Sequence, residues 1–174
     1  RSILEQGKDL LYLGFSSGLS GTVNSGHLAA EELKAEYPEA KIIVVDTLCA
    51  SLGQGLLVWH AVQKKNEGKT IEEVAQWTED NKLNLAHWFT VDDLNFLKRG
   101  GRVSGAAAMF GTMLNIKPVL HVDNEGHLIA MEKVRGRKQS LNALVDHMEK
   151  TAIKPEEQYI FISHGDCLEE AQYV

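Results

Sequence analysis

Two apolar runs of strand length flank a single helical segment in the first fifty residues, and no other feature constrains the fold as much. Leu10 to Phe15 forms one run, and Ala40 to Thr47 (AKIIVVDT) forms the other. Between them, Leu19 to Glu36 has helical character, and Tyr37-Pro38 ends it because proline cannot extend the helical ladder. Continuous rather than alternating apolar strands belong to parallel sheets covered on both faces. Strand, helix and strand in this order make a right-handed βαβ unit. Leu28, Ala29 and Leu33 are the expected core-facing positions of the helix.

The turn joining the first strand to the helix reads Gly14-Phe15-Ser16-Ser17-Gly18-Leu19-Ser20-Gly21-Thr22. Its serines and glycines gather hydroxyls, backbone N–H groups and the positive end of a helix dipole, which suits an anion. Ser16 or Ser17 is the expected N-cap. The same residues also make an ordinary serine-capped helix start, so the turn alone leaves both readings open. Asp46, Thr47 and Ser51 fall at the same carboxyl edge, where ligands of open α/β sheets gather.

Further on, Ser51 to Gly68 reads as a helix with Leu56, Leu57, Trp59 and Val62 as its apolar surface. Gly53 and Gly55 in its first turn permit close packing or ligand approach. Thr70 with Glu73 forms a capping box for the next helix. Ala86 to Val91 is an expected strand, followed by an acidic helix start at Asp92-Asp93 and the basic group Lys98-Arg99-Gly100-Gly101-Arg102. Val103 to Asn115 reads as a small-residue helix, and Lys117–Val122 with Leu128–Val134 as a hairpin around Asn124-Glu125-Gly126. A second basic group, Lys133, Arg135, Arg137 and Lys138, precedes a helix marked by Leu141, Leu144, Val145 and Met148. Gln158 to Ser163 is a further expected strand, ending at His164-Gly165-Asp166, after which a helix begins.

The change of rhythm from βαβ to hairpin and helices places a domain boundary near residue 84, giving domains 1–84 and 85–174. The fold class is α/β: a partial Rossmann-like parallel-sheet domain and a second α/β domain with a β-hairpin and helices. Two parallel strands with both faces apolar should not stand alone. Both ends therefore read as cut, with missing strands most simply before Arg1.

With a formal net charge of −6, the chain is not expected to bind nucleic acid, and at most transient membrane contact is expected. No apolar run approaches the roughly 18–20 residues that span a bilayer. Cys49 and Cys167 have no partners at metal-ligand spacing, and His27, His60, His87, His121, His127 and His147 are scattered, so no metal site is expected. Free thiols in a cytoplasmic protein are the simplest account. Gly14-Phe15-Ser16-Ser17-Gly18 also satisfies G-x-S-x-G, and Ser16, Asp46 and His164 follow in the order of a hydrolase triad. A serine esterase is thus the enzyme alternative, although no HGGG-type oxyanion loop precedes the serine. The glycine spacing does not match a dinucleotide fingerprint.

Five pieces taken together resemble the DegV family of bacterial fatty-acid-binding proteins, which includes the acyl-carrying subunit of fatty acid kinase. They are Ser16–Thr22, then Val45-Asp46-Thr47 with Ser51, then Leu97-Lys98-Arg99-Gly100-Gly101-Arg102-Val103-Ser104-Gly105, then Leu114-Asn115-Ile116-Lys117-Pro118-Val119-Leu120, and Lys133-Val134-Arg135-Gly136. They occur in the family's order and cover nearly the whole chain. The resemblance implies two domains with a fatty acid between them. It implies head-group contacts from Ser20 above all, with Ser17, Ser16, Gly18 and Leu19 beside it, and His164 near the carboxylate. It further implies that the chain is a carrier rather than an enzyme, with the fatty acid as ligand and no separate cofactor. The implied partner is the ATP-binding subunit of a fatty acid kinase, docked at Arg102 and Arg135. Phe89, Val103, Ala107, Met109, Phe110 and Leu114 suit either ordinary core or a tunnel wall for the tail. The chain lacks the family's N-terminal strand, its Thr-Ser-Gln-Pro loop and its C-terminal strands, in line with the cut ends.

Overall fold

A computed structural model of the chain describes residues 1–103 and 115–174, divided between two units, Arg1–Leu85 and Ala86–Val174. In the first unit, β1 (Leu10–Gly14) and β2 (Ile42–Asp46) pair in parallel, with Leu10 opposite Ile42 and Gly14 opposite Asp46. The helix between them, α1, spans Thr22–Glu36, and Tyr37 caps its end. Two further helices follow, α2 (Ser51–Asn66) and α3 (Ile71–Asn81). Both α1 and α3 pack on the strand pair, and α2 packs on α3. Leu4, Ala30 and Ile42 form the buried centre beneath α1, joined by Leu10, Leu33, Tyr37 and Val44. Strand alternation then sends Leu11, Leu13, Ile43 and Val45 to the opposite face.

The face of α1 that meets the sheet differs from the expected one. Val23 and Ala30 are buried, whereas Leu28 is 61% exposed. Ala29 is also exposed and borders an open hollow, while Leu33 is half-buried as expected. The reason is the spacing of the contact line, Val23, Gly26, Ala30 and Leu33, which Gly26 completes without a side chain. A Cβ at Gly26 would stand 2.7 Å from the Tyr12 ring, and one at Gly14 would stand 2.7 Å from Val23 Cγ2. The two glycines thus let α1 lie close along β1. The N-cap also differs: the helix begins at Thr22 after Gly21, not at Ser16 or Ser17. In α2 the apolar face is Leu57 and Ala61, and Val62 is exposed. The Thr70–Glu73 capping box of α3 forms in full, with Glu73 N–H donating to Thr70 Oγ1 at 3.2 Å and Thr70 N–H to Glu73 Oε2 at 2.8 Å.

The second unit holds an antiparallel sheet in the order β3 (Trp88–Thr90), β4 (Ile116–Val122), β5 (Leu128–Arg135). The hairpin turns where expected, and Asp123 Oδ1 accepts the N–H groups of Glu125 and His127 at its tip. A register shift between Val119 and Leu120 leaves Met131 as the extra residue of β5. Helix α4 (Asn95–Arg99) is short, and α5 (Arg137–Thr151) packs across all three strands. Leu94, Val103 and Leu120 are the buried centre, with Phe89 packed against them. Of the expected helix 103–115, residues 104–114, with Ala107, Met109, Phe110 and Leu114, lie outside the described residues. Over the expected strand 158–163 the described residues carry no assigned strand, and Tyr159, Ile160, Phe161 and Ile162 are exposed. Helix α6 (Leu168–Tyr173) follows, tied to α5 by Arg137 on Glu170 Oε2 at 2.6 Å and 2.8 Å. Among the described residues, no helix is long and apolar enough to cross a membrane.

Gly14→Ala is expected to destabilise the protein by about 1–3 kcal/mol, since the new methyl drives the first turn of α1 off the strand; chemical denaturation measures it. Thr70→Ala removes one half of the capping box and is expected to cost about 1 kcal/mol in the same assay.

Candidate functional site

The carboxyl ends of β1 and β2 lead into two loops that are tied to each other. Thr47, fully buried, donates its hydroxyl to the Gly14 carbonyl at 2.6 Å and accepts Cys49 N–H at 3.2 Å. Ser16 N–H donates to the Cys49 carbonyl at 3.0 Å. Asp46 Oδ1 accepts two amides, from Ser17 at 3.2 Å and from Leu48 at 3.1 Å. The turn to α2 is tight, with positive φ at Leu48 and Ser51. Lys82, from the turn after α3, donates to the Asp46 carbonyl at 2.9 Å and pairs with Glu79. Burial pushes the Cys49 thiol up to about 11, with the Thr47 hydrogen bond and then the Lys82 charge opposing this only in part.

Within the serine loop, the candidate residues have separate places. Ser16 is 0% exposed. Its hydroxyl accepts Gly18 N–H at 3.2 Å, and its carbonyl accepts the amides of Leu19 and Ser20, both at 3.1 Å. Ser16 therefore braces the loop from inside, which also removes it as an accessible nucleophile. With the Ser17 amide on Asp46, the amides of residues 17 to 20 all turn inward. Leu19 is buried and anchors the loop, while Ser17 is exposed.

Donors facing outward lie one step later in the chain. Ser20 Oγ and Thr22 Oγ1 are 2.6 Å apart, and Thr22 N–H donates to Ser20 Oγ at 3.3 Å. The amides of Gly21, Val23 and Asn24 have no acceptor among the described residues. The first turn of α1 carries no acidic side chain to occupy its positive end. These groups together can hold a carboxylate or a similar acceptor. Thr22 was not among the expected site residues; the signal for it is a hydroxyl residue two positions after a serine at a helix start.

The remaining candidates belong to the second unit. His164 is exposed, and its Nδ1 accepts Cys167 N–H at 3.2 Å. Arg102, exposed, folds back onto the Gly100 carbonyl. Arg135 and Lys133 are exposed on the same side of β5. Near Arg102, Arg99 lies over the exposed Phe96 ring at 4.7 Å. Among the described residues, no cluster of His, Cys, Asp or Glu could hold a metal ion. An apolar hollow of about 150 Å³, lined by residues of β1, α1 and β2 including Tyr12 and Val44, is far smaller than a lipid tail requires.

A family model described as an uncharacterised protein of the DegV family matches residues 1–174. A DegV domain-containing protein of Clostridium perfringens is 53% identical over 169 residues, which is 97% of this chain and 58% of that protein. Among solved structures, a DegV family protein of Ruminococcus gnavus, described with vaccenic acid, aligns at a TM-score of 0.87 with 26% identity, over 99% of this chain and 63% of that one. A DegV family protein of Thermus thermophilus, described by its fatty acid binding, aligns at 0.75 with 39% identity, over 86% of this chain and 51% of that one. The chain thus spans a little over half the length of these relatives. The mixed α/β architecture, with a parallel strand pair and an antiparallel three-stranded sheet, matches theirs. The chain belongs to the DegV family.

Proposed function

We propose that this protein binds a long-chain fatty acid. Its carboxylate rests at the serine-rich start of α1, its tail lies in an apolar tunnel, and the protein presents it to a partner kinase for acyl phosphate formation. The observation that carries this reading is that structural neighbours of the same fold are described as fatty-acid-binding DegV proteins, vaccenic acid among the ligands. The outward-facing hydroxyls and amides at Ser20 to Asn24 supply the chemistry such a head group needs. Ser17, Gly18, Leu19 and Ser16 shape that position, and His164 remains a proposed neighbour of the head group. The carrier acts in the cytoplasm, needs no cofactor besides its ligand, and leaves phosphoryl transfer to the partner.

The magnitudes separate the roles of tail and head. Burying about 14 methylenes at ~0.8 kcal/mol each is worth roughly 11 kcal/mol, against an association cost of ~4–15 kcal/mol. A hydrogen bond to a charged group adds ~1.5–3 kcal/mol. The tail therefore sets affinity, and the head site sets direction and chemical class.

Ser20→Ala is expected to weaken fatty-acid binding about tenfold or more, from loss of one charge-assisted hydrogen bond, with the thermal midpoint little changed. Unchanged affinity in a calorimetric titration removes Ser20 from the site. The exposed cations support the kinase partnership. Arg102→Ala with Arg135→Ala is expected to leave lipid affinity intact while slowing acyl phosphate formation in a reconstituted kinase reaction. Normal turnover by that double variant overturns the docking role.

A further inference from the structure

We propose that Phe96, held under the Arg99 guanidinium, is the apolar anchor through which the second unit docks its protein partner, whose surface offers a pocket rimmed by carboxylates. This rests on the kinase-partner reading and goes further in naming the anchor and the chemistry it requires. Leu94 and Leu97 pack the start and body of α4 onto the sheet face that carries Leu120. Lys133 stands opposite Pro118 and Arg135 opposite Ile116, and residues 116, 118 and 120 of β4 share one face. The two basic groups, 98–102 and 133–135, are far apart in sequence and fall on this same face. Phe96 projects from α4 there, 67% exposed, with the Arg99 guanidinium carbon 4.7 Å from its ring centroid.

No ion pair among the described residues involves Lys98, Arg99, Arg102 or Arg135. The acids nearest them in sequence are engaged elsewhere: Asp92 with Lys117 and Arg137, Asp93 with Asn95 N–H, and Glu132 with His147. In a chain of formal net charge −6, these cations make one face complementary to an acidic surface. Stacking orders Arg99 before a partner arrives, so less rotamer freedom is lost on docking. Its planar fork can then bind a carboxylate while the ring enters an apolar pocket. One ring is little apolar area for a bilayer, and an anionic lipid surface repels the rest of an acidic chain. A protein partner has to match this face alone.

The test measures association and dissociation rates of the purified protein on the immobilised ATP-binding kinase subunit, at low and high salt. It compares the parent protein with Phe96→Ala, Arg99→Ala, Lys98→Ala and the Phe96→Ala/Arg99→Ala double variant. Phe96→Ala is expected to speed dissociation about tenfold or more. Its association rate, stearic acid affinity and thermal midpoint are expected to stay unchanged, since the ring is exposed in the free protein. Lys98→Ala is expected to slow association and flatten its salt dependence, as loss of a rim charge does. The double variant is expected to fall short of the summed single losses, because Arg99 acts over the ring. Dissociation of Phe96→Ala at the parent rate overturns the anchor role and leaves the kinase partnership standing. Fully additive losses overturn the stacked arrangement, and an unchanged association rate in Lys98→Ala overturns the acidic character of the partner. If the parent protein does not bind the kinase subunit, the kinase reading fails, and this proposal with it. Phe96-dependent sedimentation with phosphatidylglycerol vesicles assigns the ring to a lipid surface and overturns the proposal.

Discussion

The hydroxyl of Thr47 on the carbonyl of Gly14 is the contact on which the carboxyl edge of the first unit depends. Parallel strands end with carbonyls and amides that have no further ladder to join, and a buried one without a partner costs free energy. Here the strand ends are closed by the loops themselves. Thr47 takes Gly14 and Cys49, Cys49 takes Ser16, and Asp46 takes Ser17 and Leu48. The edge is set before any ligand arrives, and the backbone donors of the serine loop are consumed in setting it. What is left for a ligand is therefore side-chain hydroxyls and the first turn of α1.

This internal closure explains what could be read from the sequence and what could not. The βαβ order, the hairpin and the Thr70–Glu73 box are local patterns, each decided by a few adjacent residues, and all three are legible. Leu28 is different, because its helix face depends on how closely α1 approaches β1. That approach is fixed by Gly26 and Gly14, residues whose contribution is the absence of a side chain. Hydropathy cannot register such a contribution. The N-cap falls at Gly21 for a related reason: Ser16 meets the local criteria for capping, but its hydroxyl accepts Gly18 N–H inside the clasp to the neighbouring loop.

The second unit is held by a different device. Trp88 stacks on His147, from α5, at 3.7 Å and on His121, from β4, at 4.5 Å. His147 Nε2 in turn reaches Glu132 Oε1 on β5 at 2.9 Å. Two ring stacks and one hydrogen bond thus link the helix and the three strands of a sheet too small to secure it by area alone. At the start of α5, Arg137 and Lys138 face the positive end of the helix, an unfavourable placement. Glu170 and Asp92 offset it, and Arg137 holds the Glu170 carboxyl below its usual range through their hydrogen bond. Lys117 does the same for Asp92.

On the proposed reading, the use of hydroxyls rather than a salt-bridging cation at the head site suits a carrier. A carboxylate locked to a buried arginine would gain several hydrogen bonds, and a partner enzyme would have to break them all before reaching the oxygen it modifies. A hydroxyl and a few helix-end amides hold the head with less free energy, and they hold an acyl phosphate, also an acceptor, by the same bonds. The tail supplies the affinity that the head gives up, because its burial scales with chain length and is indifferent to what happens at the carboxyl end. Retention and reactivity are then governed by different parts of the ligand. A head site of hydroxyls and helix-end amides lets one binding mode serve substrate and product alike.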